Sequence, residues 1–254
     1  MLLVIDSGNT RTKWALVDSA GAMQETHVCM NADLATSAIQ QSAKKAHKVI
    51  IANVAGQLLA NQIAQLLAPL NANFVIAKRQ ASHVLNSYEQ AENLGADRWA
   101  ALVAAWHINK QTTLVINAGT AITIDCLNAT EQDNQNKGVF LGGTIMPGLR
   151  LMQAALTHNT AQLKVDEGSH VAFPTNTENA IQTGCLTAAV GAILILQQQL
   201  KEHSHLPPKL LISGGDAPTI AEALMVHLKA SEKQVMIVEN LVLQGLAILE
   251  KEYI

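Results

Sequence analysis

Eight residues near the start of the chain, Asp6, Ser7, Gly8, Asn9, Thr10, Arg11, Thr12 and Lys13, follow directly on an apolar run at 2–5. A strand that ends in Asp-x-Gly-x-Thr beside basic residues suits phosphate chemistry. The glycine lets backbone approach a phosphate closely, and N–H groups in such a turn form an anion-binding concavity. The Thr10 hydroxyl and the side chains of Arg11 and Lys13 add donors. Asp6 would hold Mg²⁺, directly or through water, beside a phosphate tail. The same residue types also suit a plain hairpin turn. A second group, Gly95, Ala96, Asp97 and Arg98, opens an Ala/Leu-rich stretch. Asp97 there can stabilise a helix N terminus, or act as a general base that takes the proton of a hydroxyl receiving a phosphoryl group. Composition does not choose between the two.

These groups need a scaffold, and the apolar pattern supplies one. Residues 2–5 read as a buried strand and 14–17 as its antiparallel return. Helical spacing covers 33–47 and 56–68, with strands at 48–53 and 74–77 and a helix at 96–106. Then the opening returns: a strand at 113–116, a turn at 117–120 and a returning strand at 121–127. Val4, Ile5, Asp6, Ser7, Gly8, Asn9 and Thr10 find their echo in Val115, Ile116, Asn117, Ala118, Gly119 and Thr120. An internal repeat of about 110 residues is far longer than a solenoid period. It implies two similar halves, 1–112 and 113–254, each opening strand–turn–strand and packed around a cleft. Helices fill most of 176–203, a strand at 209–213 runs into the glycine turn Gly214–Gly215, and a helix over 239–251 follows. The class is α/β.

Composition narrows the function. Hydrophobic residues make up 49% of the 254 and charged residues 15%, enough for a packed core and unlike a disordered chain. Seventeen basic against 20 acidic residues leave a net charge of -3, and no long basic run points to nucleic acid or to an anionic membrane. Aromatic residues are only 3%, which argues against stacking platforms for single strands. Cys29, Cys126 and Cys185 are odd in number and far apart, suiting a reducing cytosol rather than a disulfide framework. The first residues lack the basic segment of a signal peptide. The apolar stretch 185–196 is shorter than the roughly 20 residues of a membrane span. The expectation is a cytoplasmic protein. The nine histidines are scattered, and His203 and His205 before Pro207 read as solvated loop residues.

Three glycine turns after apolar strands, at Gly8, Gly119 and Gly214, resemble the arrangement by which actin, sugar kinases and heat-shock chaperone ATPases hold ATP. Five segments sharpen the resemblance: 6–13, 94–98 (Leu-Gly-Ala-Asp-Arg), 119–121, 142–149 (Gly-Gly-Thr-Ile-Met-Pro-Gly-Leu) and 176–184. Together, in this order and spacing, they are similar to the type III pantothenate kinases, which make the first committed intermediate of coenzyme A. The resemblance implies a duplicated actin-like (ribonuclease H-like) fold and ATP-dependent phosphorylation of pantothenate in a homodimer. It also implies that Asp97 is the catalytic carboxylate. Asp6 to Lys13 and Thr120 would hold ATP, and Tyr88, Gly95, Ala96, Arg98 and Thr177 would contact pantothenate, Thr177 across a subunit interface. Arg98 would pair with the substrate carboxylate or with developing phosphate charge. Thr177 or Thr175 also reads as a helix cap after Pro174. Ala91 stands where the family often has proline, which loosens the loop of Tyr88.

One position departs from the pattern in a way that bears on cofactors. The family frequently has Asp before the second glycine turn, as a ligand for potassium or ammonium; here it is Asn117. Asn keeps an oxygen and loses the charge, so affinity for a monovalent ion falls, while Mg²⁺ remains expected. Other readings keep the fold with a different small hydroxy acid or sugar as acceptor, or make the chain a non-catalytic regulatory relative. Loss of Asp6 or Asp97 would favour the last, and both are present.

Overall fold

The computed structural model describes residues 1–68, 70–132, 134–159, 168–228 and 234–253. It divides into two compact units, one of Met1–Lys110, Thr130–Leu141 and Asn240–Ile254, the other of Gln111–Ala129 and Gly142–Glu239.

In the first unit β1 (Leu2–Ser7), β2 (Arg11–Val17) and β3 (Met23–Met30) form an antiparallel meander. A short helix α1 (Ile39–Lys44) leads to β4 (Lys48–Asn53), which pairs parallel with β1. Helix α2 (Gln57–Leu66) then leads to β5 (Ala72–Phe74), so the sheet order is β3-β2-β1-β4-β5. Side chains alternate across a sheet. Leu3, Ile5, Trp14, Leu16, Val49 and Ile51 form a core with Leu34, Ile39, Leu59 and Ile63. The sheet also meets α3 (Ala96–Asn109) and the C-terminal helix, for which β1 and β4 are neighbours. The hairpin β6 (Gln80–Ala81) and β7 (Val84–Asn86) precedes α3, and β7 pairs parallel with residues 138–140 of a later strand.

The second unit repeats the arrangement. β8 (Thr113–Ala118), β9 (Ala121–Gln132) and β10 (Gln135–Pro147) follow in turn. Helices α4 (Leu149–Asn159) and α5 (Thr177–Ser204) separate them from β11 (Lys209–Ser213), which lies parallel beside β8. Helix α6 (Ala217–Leu228) leads to β12 (Val235–Ile237), giving the order β12-β11-β8-β9-β10, beyond which the seven-stranded sheet continues to β7 and β6. Read from the meander side, both sheets run third, second, first, fourth, fifth. Leu114, Ile116, Ile122, Ile124, Leu210 and Ile212 pack with Ile181, Leu186, Ala189 and Ile193 of α5 and Ile220 and Leu224 of α6. Helix α7 (Leu241–Tyr253) returns to the first unit.

Several elements differ from the sequence expectation. The helix expected over 33–47 is a 3-10 turn at Asn31–Thr36 followed by the six residues of α1. Ser37 divides them, its hydroxyl donating to the Leu34 carbonyl (2.7 Å) and diverting the backbone. The strand expected at 74–77 lies earlier, as β5, which shares only Phe74 with it, and 75–77 form no strand. β3 and β10 had no expected counterpart. Helix α5 matches the helix expected over most of 176–203; its 28 residues extend past the apolar stretch 185–196, and it is the one described helix long and apolar enough by length and composition to cross a membrane. Its residues Ile181, Cys185, Leu186, Ala189, Val190 and Ile193 belong to the core of the second unit.

Helix α7 packs along α3, and Gly245 makes that possible. A Cβ there would stand 1.9 Å from the Ala100 carbonyl oxygen, within α3. Any larger residue would push the two helices apart. Since α3 begins with Asp97 and Arg98, this approach sets the height of the chemistry-bearing helix end.

Candidate active site

The turn between β1 and β2 is braced from within. Asp6 lies opposite Lys13 and Ser7 opposite Thr12 in the antiparallel register, so each pair shares a face. The Gly8 N–H donates to the Arg11 carbonyl (3.1 Å), closing the turn. Ser7 and Thr12 are fully buried with their hydroxyls 3.3 Å apart. Thr12 Oγ1 donates to Asn31 Oδ1 (2.9 Å), and Asn31 Nδ2 donates to the Gly8 carbonyl (2.8 Å). The Asn31 N–H completes the bracket on the Thr10 carbonyl (3.1 Å). The side chains of Ser7 and Thr12 are therefore spent on holding the turn. Asn9 and Arg11 are exposed, and Gly8, Thr10 and Lys13 half-buried. Asn31 gave no sign in the sequence, because it acts on backbone atoms of a turn 23 residues away.

In the same unit α3 presents Asp97 and Arg98 in its first turn. Asp97 Oδ1 accepts the Arg98 N–H (2.8 Å), which pins the carboxylate against the helix end. Gly95 leaves the space this requires: a Cβ there would lie 2.7 Å from Asp97 Oδ1. Arg98, only 4% exposed, donates from Nη1 to the Tyr88 hydroxyl (3.0 Å). Its guanidinium carbon lies 5.7 Å from the ring centres of both Tyr88 and Phe140, which stack on each other at 5.6 Å. Ala96 is buried under the same turn. Sequence reasoning passed over Phe140, a buried aromatic on β10 that looks like ordinary core.

In the second unit the strand ends gather a matching set. Asn117 pairs in register with Thr123 on β9 and with Ser213 on β11. Its Nδ2 donates to Thr123 Oγ1 at 3.4 Å. The Gly119 N–H donates to the Ala121 carbonyl (3.0 Å), as Gly8 does to Arg11. The Thr120 carbonyl accepts the Gly148 N–H (2.9 Å), and the Ala118 carbonyl accepts the Asp216 N–H (3.1 Å). The Pro147–Gly148 turn and the third glycine turn thus both close on 118–120. Thr120 is exposed. Thr177 is the first residue of α5, exposed and not its cap. The cap is Asn176, whose extended backbone lets its side chain accept the Asn179 N–H (2.9 Å).

Burial raises the proton affinity of Asp6 and Asp97 in the first unit and of Asp216, opposed there by Arg150, in the second. Asp6 is pushed up to about 7, chiefly by burial and then by the charge of Asp97, with Lys13 pulling the other way. Burial also raises Asp97, opposed by the Arg98 N–H and guanidinium. Among the described residues no three His, Cys, Asp or Glu converge on a metal position.

Comparison with known proteins agrees with this arrangement. The fold is that of the actin-like ATPases and sugar kinases. A Sinorhizobium meliloti structure described as a 2-dehydro-3-deoxygalactonokinase matches with a TM-score of 0.57 at 14% identity, covering 100% of this chain and 99% of that one. A Campylobacter jejuni structure described as a Baf family transcriptional activator matches with a TM-score of 0.58 at 21% identity, covering 98% of both chains. At these identities the likeness is one of fold alone. The family described as type III pantothenate kinase matches residues 2–199. A type III pantothenate kinase of Aromatoleum aromaticum is 38% identical over 255 residues, covering 99% of this chain and 98% of that protein. The chain belongs to the type III pantothenate kinases, and it is an enzyme that phosphorylates pantothenate in coenzyme A biosynthesis.

Removing the Asn31 bracket should loosen the first glycine turn without touching the second unit. Asn31→Ala is expected to raise the KM for ATP about three- to tenfold, the equivalent of one buried hydrogen bond or slightly more. The KM for pantothenate should stay within about twofold, since Asn31 acts on the turn rather than on the Tyr88–Arg98 cluster. Steady-state kinetics with each substrate varied in turn reads both; a rise confined to pantothenate would contradict the assignment.

Proposed function

We propose that Asp97 is the general base and that the Asp6–Lys13 turn, with Thr120, holds the ATP phosphates. The observation that carries this reading is a half-buried carboxyl, fixed by its own helix end, whose proton affinity is raised by burial and whose charge reaches Asp6. A raised carboxylate is the better base at neutral pH. Asp97 takes the proton of the primary hydroxyl of pantothenate as that oxygen bonds to the γ-phosphorus. The bond to the bridging oxygen breaks, and ADP leaves with the electron pair. Gly95 and Ala96 keep the helix end low enough for the acceptor to reach Asp97. Arg98 and Tyr88 orient the acceptor, and Lys13 and the turn amides offset charge on the phosphates. Bound Mg²⁺, held by Asp6, supplies charge neutralisation on the phosphate oxygens.

The halves 1–112 and 113–254 are read as copies of one unit, a reading supported by the repeated sheet order and by the Gly8 and Gly119 turns. Thr177 is read as a pantothenate contact supplied across a homodimer. Helix α5 supports the dimer: Ala180, Gly184, Ala188 and Ile195 are exposed, and a Cβ on Gly184 or Gly191 would meet nothing within 4 Å. A cytoplasmic location fits Cys29, Cys126 and Cys185, all free thiols.

Asp97→Asn keeps the size of the side chain and removes the base. Turnover should fall on the order of 10²–10⁴-fold with ATP affinity little changed; near wild-type turnover would end the base assignment while leaving the kinase intact. Light scattering should show a two-fold dimer at micromolar concentration, and a fully active monomer would refute it. The cation follows from Asn117, whose amide nitrogen is turned to Thr123 and which offers an ion only a neutral oxygen. Potassium or ammonium should stimulate this enzyme less than relatives with Asp at that position, and Asn117→Asp should increase the stimulation. Strong wild-type dependence on potassium, unchanged by the substitution, would mean that other oxygens make the site.

A further inference from the structure

Tyr88 stands on a stretch with no ladder of its own. Residues 87–90, between β7 and the 3-10 turn at Ala91–Asn93, form neither helix nor strand, so their carbonyls need donors from elsewhere. Arg79 supplies them. Its Nη1 donates to the Asn86 carbonyl (2.7 Å) and the Tyr88 carbonyl (2.6 Å), and its Nη2 donates to the Glu89 carbonyl (3.0 Å). One planar fork thus spans four residues of loop. The reverse bond is also made, the Asn86 N–H donating to the Arg79 carbonyl (2.9 Å). Asn86, almost fully buried, adds the inner half of the clamp. Its Oδ1 accepts the Tyr88 N–H (3.0 Å), and its Nδ2 donates to the carbonyls of Ala91 (3.1 Å) and Lys78 (3.3 Å).

Arg79 is itself well anchored. Lys78 Nζ donates to the Glu252 carbonyl (2.8 Å) and lies 3.8 Å from the centre of the Tyr253 ring. Ser82 donates through its N–H and its hydroxyl to the Glu252 carboxylate, both at 2.7 Å. The segment carrying Arg79 is therefore fastened to the end of α7, which lies along α3. On the far side of the loop, the Ser87 N–H donates to the Phe140 carbonyl (3.2 Å), and the Tyr88 ring stacks on Phe140 and meets Arg98.

We propose that Arg79 is a positioning residue for the phosphoryl acceptor: by holding the 86–89 backbone it sets the Tyr88 ring, and through the Tyr88 hydroxyl it sets the direction of Arg98. The inference rests on the reading of Tyr88 as a pantothenate contact. Arg79 touches no reacting atom, and its effect belongs on acceptor binding rather than on ATP. Lysine cannot replace it fully, because a single ammonium does not reproduce a fork that reaches three carbonyls.

The test compares Arg79→Met, Arg79→Lys, Tyr88→Leu and the double variant Arg79→Met/Tyr88→Leu in the full-length protein, with KM for pantothenate and for ATP and the melting temperature measured for each. Arg79→Met is expected to raise the pantothenate KM about tenfold and to leave the ATP KM within about twofold, the signature of a misplaced binding group. Arg79→Lys should fall between Arg79→Met and wild type. The double variant should be no worse than Tyr88→Leu, because Arg79 works through that ring. A pantothenate KM unmoved in Arg79→Met but raised in Tyr88→Leu would overturn the role of Arg79 alone, as would multiplicative losses in the double variant. An unmoved pantothenate KM in Tyr88→Leu would overturn the reading of Tyr88 and the inference with it. Should Arg79→Met fail to fold, Arg79→Lys decides by the same split between pantothenate and ATP.

Discussion

Two carboxyls held where ionisation is costly, Asp6 at the end of β1 and Asp97 at the start of α3, are the constraint around which the first unit is arranged. Each is partly withdrawn from water, and the charge of Asp97 raises Asp6 further. Burial and a neighbouring like charge both favour the protonated carboxyl, and a cation favours the ionised one. Such a pair persists only if its surroundings cannot relax. The Ser7–Thr12–Asn31 bracket holds one side, and the Asp97–Arg98 N–H bond with the bare Gly95 holds the other. Behind α3, the contact of Gly245 with Ala100 keeps the helix from sliding away. Strain at the site is matched by rigid packing just outside it.

The second unit shows what the same topology does without that charge. Where β1 and β2 face each other with Asp6 and Lys13, β8 and β9 face each other with Asn117 and Thr123. Two charged residues at this register position have given way to two neutral ones, while the closing bond of each turn, Gly8 to Arg11 and Gly119 to Ala121, is retained. The closing bond of the glycine turn therefore does not depend on an acidic residue before it: the turn forms with Asp6 in one unit and with Asn117 in the other.

The elements most legible in the sequence are those with strong apolar runs. β1, β4, β8 and β11 each stand within a residue or two of expectation, as do α5 and α7, and α3 runs three residues past its expected end. The strands that escaped notice have weaker patterns. β3 reads Met-Gln-Glu-Thr-His-Val-Cys-Met and lies at a sheet edge, half exposed, and the end of β10 is broken up by two glycines. In the first unit, Asp6, Asp97 and Arg98 stand out locally as charges beside glycine, and the structure places Asp97 and Arg98 in the first turn of α3 as the sequence suggested. Asn31 and Arg79 do not stand out. Their work is to donate to carbonyls, which every residue possesses, so no side-chain pattern marks the recipients. Ser7 and Thr12 carry no local mark of their bracing bonds, because a hydroxyl in a turn looks the same in sequence whatever it faces.

Scarce aromatic residues show where the fold needs stiffness. Ala, Leu, Ile and Val build both cores, and three Phe, two Tyr and three Trp serve the whole chain. Trp99 and Trp106 lie on α3, almost wholly buried, and Tyr88 and Phe140 flank the guanidinium of Arg98 on the same helix. A large ring loses few rotamers on burial and resists displacement by its neighbours. Small aliphatic side chains suffice where sheets and helices only need to be filled. A helix end that must hold an acid and a guanidinium at fixed height needs broader, stiffer supports. The rings gathered about α3 thus brace the helix whose first turn carries Asp97 and Arg98.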